Sequence, residues 1–322
     1  MDQKLLDLYS DYVITSFSLA TATGLSSVVD NAYSHDQITR FLGKERYDQK
    51  RYWQTIKPTV RQVERADGVV LVDDTIEEKP YTEENDIVCY HYDHSQERTV
   101  KGINLVNFVY HTILDDEQSI SLPVAFELVA KTDVVQDLKS GKYKRKSPVS
   151  KNELVRERLK ILVQHNRLKF KYVIWDSWFS AKDNMVTVKQ KLKKDFVGTL
   201  KGNRLVALSE ADKRAGQFVA VSEVELKAGQ CRLVYLKGVA FHKSLKQNVA
   251  LEKSPTKTIR SQSNHIFAAM IAFIKLERLK LAHQSNHFAL KSKLYLKAVK
   301  AAFSELKALS CHSVALVNFS SA

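Results

Sequence analysis

Two aliphatic runs that each lead into aspartate constrain the fold of this 322-residue chain more than any other feature. Val69 to Val72 run into Asp73 and Asp74, and Tyr172 to Trp175 run into Asp176. Short runs of this kind are typical of buried strands. Because sites in sheets flanked by helices form at the carboxyl ends of neighbouring strands, we expect the acids to lie at one end of a sheet.

The two strand-end acids allow two interpretations. If Asp74 and Asp176 converge, their repulsion requires a cation between them, and carboxylates with open positions suit Mg²⁺ or Mn²⁺. A pair of such ions can activate water and stabilise the leaving oxygen of a phosphodiester. Alternatively, each aspartate ends its strand and favours the turn that follows, as Asp176 would do by capping the segment that begins at Ser177. The local sequence leaves both interpretations open.

The order of hydrophobic patterns predicts an α/β or α+β fold with helical additions, and of these we expect the α/β class. Residues 1–66 have helical periodicity and are predicted to form an N-terminal helical DNA-binding domain. Residues 67–238 are rich in strands, with helices between them, and are predicted to form the core. Residues 239–322 are predicted to form a basic C-terminal helical region. Ser150 and Glu153 have the spacing of a capping box at the start of one core helix.

The N-terminal segment contains two short helical patterns, TATGLSSVVD and AYSHDQITRFLG. Ser34 is the expected N-cap of the second helix, and Gly43 its expected end. The pair resembles a helix-turn-helix, whose second helix would carry Gln37, Thr39 and Arg40 into a DNA groove. A plain helical hairpin fits the pattern equally well.

The charge of the chain indicates an anionic partner. Lysine and arginine number 50 against 36 acids, for a formal charge of +14. Residues 239–322 hold 13 of these basic residues and three glutamates. Phosphates are the densest biological anions, so nucleic acid is the first candidate. No apolar run approaches the roughly 18 residues of a membrane span. Three scattered cysteines and an N-terminus without a signal-peptide pattern favour a cytoplasmic location.

Four stretches together resemble one known family. They are VVLVDDTIEEKPYTEEN, HYDHSQERTVKGINLVN, YVIWDSWFSAKDNM and HKSLKQNVALEKSPTKTIRSQSNH. Their content and order resemble DDE transposases of bacterial insertion sequences, in the branch with a Tyr-Arg-Glu-Lys signature. The likeness runs over essentially the whole chain.

The resemblance implies a ribonuclease-H-like core, divalent metal ions, and DNA cleavage and strand transfer at transposon ends. It assigns Asp74, directly before Thr75, and Asp176 as the first two metal-binding acids, with Asp73 as a neighbour. It implies double-stranded DNA as the partner, both transposon ends and target, and a possible homodimer on DNA in the bacterial nucleoid. It also places a basic group of side chains beside bound DNA, namely Lys243, Lys246, Lys253, Lys257 and Arg260.

The third acid of the family signature is missing. Counting back from Lys246, the glutamate position falls on Val239, in CRLVYLKGVAFHKSLKQN, and the expected insertion domain is truncated. A valine offers no lone pair to a metal ion. We therefore expect an internal deletion and impaired catalysis. Two alternatives remain open: an active enzyme with a substitute acid, Glu252 or Glu277, and a non-catalytic DNA-binding regulator. Glu277 is expected on a solvated helix face.

Three weaker patterns also have two interpretations each. Cys89, His91 and His94 could bind a metal, but an alternating strand puts only Cys89 and His91 on one side. Trp175 and Trp178 are expected to pack in the core, although a flipped base could stack there. The segment KYKRK at 142–146 is expected to be a solvated loop that could follow a phosphate backbone.

Overall fold

The computed structural model describes residues 3–16, 19–44, 48–93, 96–115, 117–136, 141, 143–199, 202–224, 234–236 and 258–317. The described helices, in chain order, are α1 (Gln3–Thr15), α2 (Ala22–Val28), α3 (His35–Lys44), α4 (Gln49–Val63), α5 (Lys151–Lys160), α6 (Lys182–Val186), α7 (Glu210–Arg214), α8 (Ile259–His283) and α9 (His287–Val317). Turns of π-helix extend α5 and α6, over Ile161–His165 and Thr187–Lys191, and a 3₁₀ turn spans Ser177–Phe179.

The described strands form three sheets. They are β1 (Val69–Glu78), β2 (Val88–Asp93), β3 (Arg98–Ile113), β4 (Ser119–Leu128), β5 (Asp133–Gln136), β6 (Tyr143–Lys146), β7 (Tyr172–Trp175), β8 (Asp195–Gly198), β9 (Leu205–Ala207), β10 (Val219–Ala220) and β11 (Tyr235–Leu236). The main sheet has the order β2-β3-β1-β7-β8, with β4 also paired to β3. It is mixed, because β1 pairs antiparallel with β3 and parallel with β7.

Strand β1 is longer than its aliphatic run. The expectation that Asp74 ends the strand was wrong, because β1 continues to Glu78 and pairs with β3 along its whole length. The antiparallel ladder with β3 supplies backbone hydrogen bonds to the polar residues after Val72. These bonds, and not the burial of apolar side chains, keep this part of the chain in the strand. Gly102 of β3 lies opposite Glu78, and a Cβ there would lie 2.3 Å from the Glu77 carbonyl oxygen. The two backbones therefore approach closely just beyond Asp74.

The helices cover both faces of the main sheet. On one face, Tyr52 of α4 donates to the Pro123 carbonyl at 2.6 Å, and its ring contacts Phe126 of β4 and Phe267 of α8. On the other face, α5 contacts β4 through an ion pair between Arg158 and Glu127. The mixed α/β architecture predicted from the sequence is confirmed.

Helix α8 is the central helix of the described structure. Its stretch from Ile266 to Ile274 is buried throughout, as expected of a helix that is apolar on all sides. It packs against α1, α3, α4 and β4. The Tyr9 hydroxyl lies 3.1 Å from Nδ1 of His265, and Asn264 donates to the Leu42 carbonyl at 2.7 Å. The N-terminal helices and α8 therefore share one hydrophobic core with the sheet.

Several local predictions are settled by the structure. Ser34 caps α3 and Ser150 caps α5 with a complete capping box, as predicted. Helix α3 passes the predicted end at Gly43 and stops at Lys44. The expected loop within KYKRK is wrong for residues 143–146, which form β6 and pair with β5 in an exposed hairpin.

Candidate metal and DNA cleavage site

The parallel pairing of β1 with β7 places the two predicted acids just beyond the end of that ladder, although β1 itself continues past Asp74. The ladder pairs Val72 with Trp175, so that Asp74 and Asp176 both follow the last paired position. Trp175 is fully buried and stacks on Phe196, which anchors the end of β7 in the core. The two aliphatic strands are thus neighbours in the sheet, which is the condition for their acids to converge.

Strand alternation shows which face of the sheet each aspartate occupies. Asp73 pairs with Asn107, and Asn107 with Phe126, whose ring contacts α4. Asp74 pairs with Val106, and Val106 with Glu127, which contacts α5. Since paired residues share a face, Asp73 points toward α4 and Asp74 toward α5. Asp74 is therefore the acid that lies on the side of the α5 residues described next.

Asp74 binds two side chains that the sequence did not single out. Its Oδ2 atom accepts from Asn104 Nδ2 at 2.9 Å and from Lys151 Nζ at 2.5 Å. Asn104 lies on β3 and is fully buried, and Lys151 is the first residue of α5. The sequence did hold a signal for Asn104, because a polar asparagine within the apolar stretch GINLVNFVYHT is expected to be buried only with a polar partner. The position of Lys151 depends on tertiary packing, so the local sequence held no signal for it.

Asp176 caps the turn that follows it. Its Oδ1 atom accepts from the backbone N–H groups of Trp178 at 2.9 Å and Phe179 at 3.4 Å. This is the capping role that the local sequence allowed as the alternative to metal binding. The Trp178 side chain is 43% exposed, and the centre of its ring lies 5.5 Å from Lys151 Nζ. Because Lys151 also contacts Asp74, the lysine lies between this turn and Asp74. Trp175 packs in the core as expected, whereas Trp178 does not.

Buried and charged groups surround Asp74. His91 of β2 is buried, and its burial, together with the charges of Lys131 and Lys151, lowers the pKa of the imidazole to about 3. Cys89 lies 3.5 Å from His91 Nε2, and burial raises the pKa of its thiol. Cys89 and His91 thus face one side of β2, as predicted, while His94 lies outside the described residues. The pair is a neutral neighbour of the acid site.

The donor atoms near Asp74 suit a hard divalent ion. Asp74 and Asp176 supply carboxylates, and Asp74 already binds one cationic group, the Lys151 ammonium. The Oδ1 atom of Asn104 is buried without a hydrogen-bond partner among the described residues, which leaves an oxygen acceptor next to Asp74. Carboxylate and amide oxygens are ligands of Mg²⁺ and Mn²⁺. Within the described part of the chain, no group of three or more His, Cys, Asp or Glu residues could hold a metal ion.

Glu277, one proposed substitute acid, is not on a solvated face as expected. It is 2% exposed, and its carboxylate accepts from the Ser121 N–H at 2.7 Å and lies 2.8 Å from His287 Nε2. Ser121 pairs with His111, which pairs with Val69, five positions before Asp74 on β1. At about 3.4 Å per residue, Ser121 lies roughly 17 Å along the sheet from the level of Asp74. In this structure Glu277 is therefore remote from Asp74.

The predicted DNA-binding residues are only partly placed. Arg40 is exposed on α3, beside exposed Gln37 and Thr39. The Arg260 guanidinium donates to the carbonyls of Gly43 and Lys44, at the end of α3. The remaining predicted positions, together with the third-acid position, lie outside the described residues: Val239, Lys243, Lys246, Glu252, Lys253 and Lys257.

Comparison with known proteins identifies the family. Residues 3–216, more than half of the chain, match the family described as DDE superfamily endonuclease, and the chain belongs to that family. The mixed sheet flanked by helices is consistent with a ribonuclease-H-like DDE fold. Membership supports a transposase-like nuclease that acts on DNA, and nucleases of this superfamily generally use divalent metal ions. A search of curated proteins found no match. No described helix has the length and apolar character needed to cross a membrane.

Proposed function

We propose that the chain is a protein of the DDE transposase lineage that binds transposon-end DNA for cleavage and strand transfer. The observation that carries this proposal is the parallel β1–β7 ladder, because Asp74 and Asp176 both follow its last paired position, Val72 with Trp175. The assigned branch is the one with the Tyr-Arg-Glu-Lys signature. We place the protein in the bacterial cytoplasm, on nucleoid DNA when bound.

In the proposed site, Asp74 and Asp176 hold Mg²⁺ or Mn²⁺, with Asn104 as a neighbouring oxygen donor. When bound, such an ion would supply activation of water and stabilisation of the leaving oxygen of a phosphodiester. Asn104 fixes the Asp74 carboxylate through its 2.9 Å hydrogen bond. Asp176 holds the turn that carries Trp178, which faces solvent beside the acids. These contacts orient the two carboxylates before DNA binds.

We further propose that catalysis is impaired. The third acid expected by the family signature is replaced by Val239, which cannot bind a metal ion. Catalysis by paired metals needs both ions held, so two aspartates support a single ion weakly. Glu277 is engaged with Ser121 and His287, which argues against the alternative of an active enzyme that uses it. Glu252 remains a candidate for that alternative.

DNA binding is assigned to the basic residues outside the acid site. Lys243, Lys246, Lys253, Lys257, Arg260 and Arg40 are proposed phosphate contacts. Phosphate contacts release counterions, so we expect affinity for end DNA to fall steeply with salt. A DNA-binding regulator without catalysis would share this property. We also propose a homodimer on DNA.

Cleavage and metal binding test the proposal together. We expect the full chain to bind Mn²⁺ in calorimetry, and Asp74→Ala and Asp176→Ala each to weaken that binding by about tenfold or more, because each removes a carboxylate ligand. Nicking of end DNA is expected to be slow or absent. Asp183→Ala, an exposed acid on α6, is the matched control and should bind Mn²⁺ normally.

Three results would contradict parts of this proposal. Unchanged Mn²⁺ affinity in both alanine variants would contradict the proposed metal site and favour the alternative of a DNA-binding regulator. Rapid nicking that depends on Asp74 would contradict the proposed loss of catalysis and favour an active enzyme with a substitute acid. If the affinity for end DNA did not change with salt concentration, the proposed contacts between the basic residues and DNA phosphates would be contradicted.

A further inference from the structure

We propose that Lys151 belongs to the acid site and occupies the cation position at Asp74, where its ammonium competes with a divalent ion. This inference rests on the proposed role of Asp74 as a metal ligand. It adds a residue to the site that neither the family match nor the sequence pattern assigns. It predicts that the metal-free site is closed by an internal positive charge.

The contact between Lys151 and Asp74 is more protected than a surface ion pair. The Lys151 ammonium lies 2.5 Å from Asp74 Oδ2, and the two side chains are 22% and 21% exposed. Exposed pairs contribute little because water screens them, whereas the interaction strengthens as the pair leaves water. This ammonium is therefore a substantial local charge at the carboxylate.

Two structural restraints hold Lys151 in place. It is the first residue of α5, directly after the capping box of Ser150 and Glu153, which fixes where the helix begins. Its Nζ atom also lies 5.5 Å from the centre of the Trp178 ring, a distance at which a cation is attracted to an aromatic face. The lysine thus lies between Asp74 and the turn capped by Asp176.

Polar contacts tie α5 to that same turn. Asn184 Nδ2 donates to Asn152 of α5 at 2.6 Å and to the Phe179 carbonyl at 3.0 Å. Arg156 of α5 donates to Asn184 Oδ1 at 2.9 Å. Since Asn184 is fully buried, these bonds fix the turn against the helix. Lys151 and the turn that carries Asp176 are thereby held together.

The charges near Asp74 explain why a divalent ion must compete. An ion that replaces the ammonium at Oδ2 displaces a bound cation, and one that binds the other carboxylate oxygen approaches that cation. In the first case the attraction between the ammonium and Asp74 is lost, and in the second two positive groups share one carboxylate, which is unfavourable at short range. Lys131 adds positive charge to the same region, as its effect on the pKa of His91 shows. Removal of the Lys151 charge should therefore tighten metal binding.

Calorimetric titration of the full-length protein with Mn²⁺ tests this competition. We expect Lys151→Gln, and the longer Lys151→Met, to tighten Mn²⁺ binding by about tenfold, because the competing charge is gone. Lys151→Arg keeps the charge and should retain the wild-type affinity. The matched control is Lys160→Gln on the same helix, whose ammonium pairs with Glu157, and its Mn²⁺ affinity should be unchanged.

The outcomes separate this inference from the proposed function. Equal or weaker Mn²⁺ binding in both Lys151→Gln and Lys151→Met, with binding still lost in Asp74→Ala, would overturn the competition and leave the metal site intact. Tighter binding that survives Asp74→Ala would overturn both the competition and the role of Asp74. Tighter binding that disappears in the Asp74→Ala background supports both. Thermal unfolding of each variant identifies any that fail to fold. If one of Lys151→Gln and Lys151→Met fails to fold, the Mn²⁺ affinity of the other tests the competition.

Discussion

At the scale of single residues, His91 shows how the environment of the acid site selects a protonation state. The imidazole is buried next to Cys89, and the cations Lys131 and Lys151 lie close enough to oppose its charge. Its pKa is lowered to about 3, so the folded protein holds it neutral near physiological pH. His91 therefore adds no positive charge to a site that already contains two lysines.

The lowered pKa predicts a loss of stability in acid. The unfolded chain takes up a proton on His91 below about pH 6.5, whereas the folded chain does so only near pH 3. The free energy of unfolding should therefore fall by about 1.4 kcal/mol per pH unit between roughly pH 6 and 4 from this group. Urea unfolding at several pH values measures the slope, and His91→Leu should reduce it.

A remaining slope in His91→Leu is expected from other groups. Burial also lowers the pKa of His111, which Lys280 reinforces, so this histidine contributes in the same direction. His283→Leu, at an exposed position on α8, is the matched substitution control. An identical pH dependence in wild type and His91→Leu would show that His91 is accessible to protons in the folded state.

The local sequence indicated part of the proposed site and gave no signal for another part. Asp74 and Asp176 were proposed because an aliphatic run followed by an acid is a local pattern, and the family resemblance selected Asp74 over Asp73. Lys151 was missed because its meeting with Asp74 joins residues 77 positions apart and depends on how α5 packs on the sheet. Glu277 was placed on a solvated face because its neighbours in sequence, Arg278 and Lys280, are basic. Its actual partners, Ser121 and His287, come from β4 and α9.

At the scale of elements, the start of α5 determines where Lys151 lies. The Ser150 hydroxyl accepts from the Glu153 N–H, and the Glu153 carboxylate accepts from the Ser150 N–H at 2.8 Å. Together these bonds satisfy two groups that the first helical turn leaves without partners. The helix terminus, and the lysine that follows it, are fixed by residues that do not touch Asp74.

Loss of this cap should loosen the helix terminus. Ser150→Ala is expected to lower the free energy of unfolding by about 1 kcal/mol and to speed amide exchange in residues 151–154. Hydrogen exchange with mass spectrometry measures both. Ser209→Ala is the matched control, because Ser209 caps the remote helix α7 by accepting from the Asp212 N–H at 3.0 Å. Exchange at 151–154 as slow as in the control variant would contradict the role of the cap.

Element boundaries were predictable where local chemistry sets them. Both serine caps were correct because capping depends on residues within four positions of each other. The end of β1 was not, because its last residues are held by β3 rather than by their own burial. The same reason applies to β6, a polar strand that exists through its pairing with β5.

At the scale of the whole molecule, Glu277 joins three parts of the fold. Its carboxylate contacts the backbone of β4, His287 of α9 and Lys280 on its own helix. Burial acts to raise its pKa, but the hydrogen bonds from His287, Ser121 and Lys280 outweigh burial and hold the pKa below its ordinary value. The carboxylate is therefore charged in the folded protein at neutral pH and contributes stability there.

We expect Glu277→Gln to destabilise the protein by about 2 kcal/mol at pH 7, since buried partners lose a charged acceptor. The difference from wild type should shrink as the pH falls below about 4.3, where the unfolded carboxyl takes up its proton. Mn²⁺ affinity should not change. Glu305→Gln, at an exposed position on α9, is the control. Loss of Mn²⁺ binding in a folded Glu277→Gln protein would restore Glu277 as a substitute acid.

The overall architecture was more predictable than its assembly. The order of strand and helix patterns indicated a sheet with helices, and the mixed sheet flanked by helices is what the family resemblance implied. The division at residues 66 and 238 remains a prediction, and the described helices on both sides of the core pack together through α8. Periodicity reports which face of a helix is apolar, but it does not report which distant element covers that face.

The two acids differ in how freely they can move. Asp74 lies inside a strand whose backbone is paired to β3 on both sides of it, so its position is that of the sheet. Asp176 lies on a turn that is held by its own carboxylate. If the distance between Asp74 and Asp176 changes, the part of the chain that moves is therefore the turn that carries Asp176. If a bound ion took the oxygen that now caps Trp178 and Phe179, the segment that presents an indole ring to solvent would keep its attachment to Asn184 through the Phe179 carbonyl.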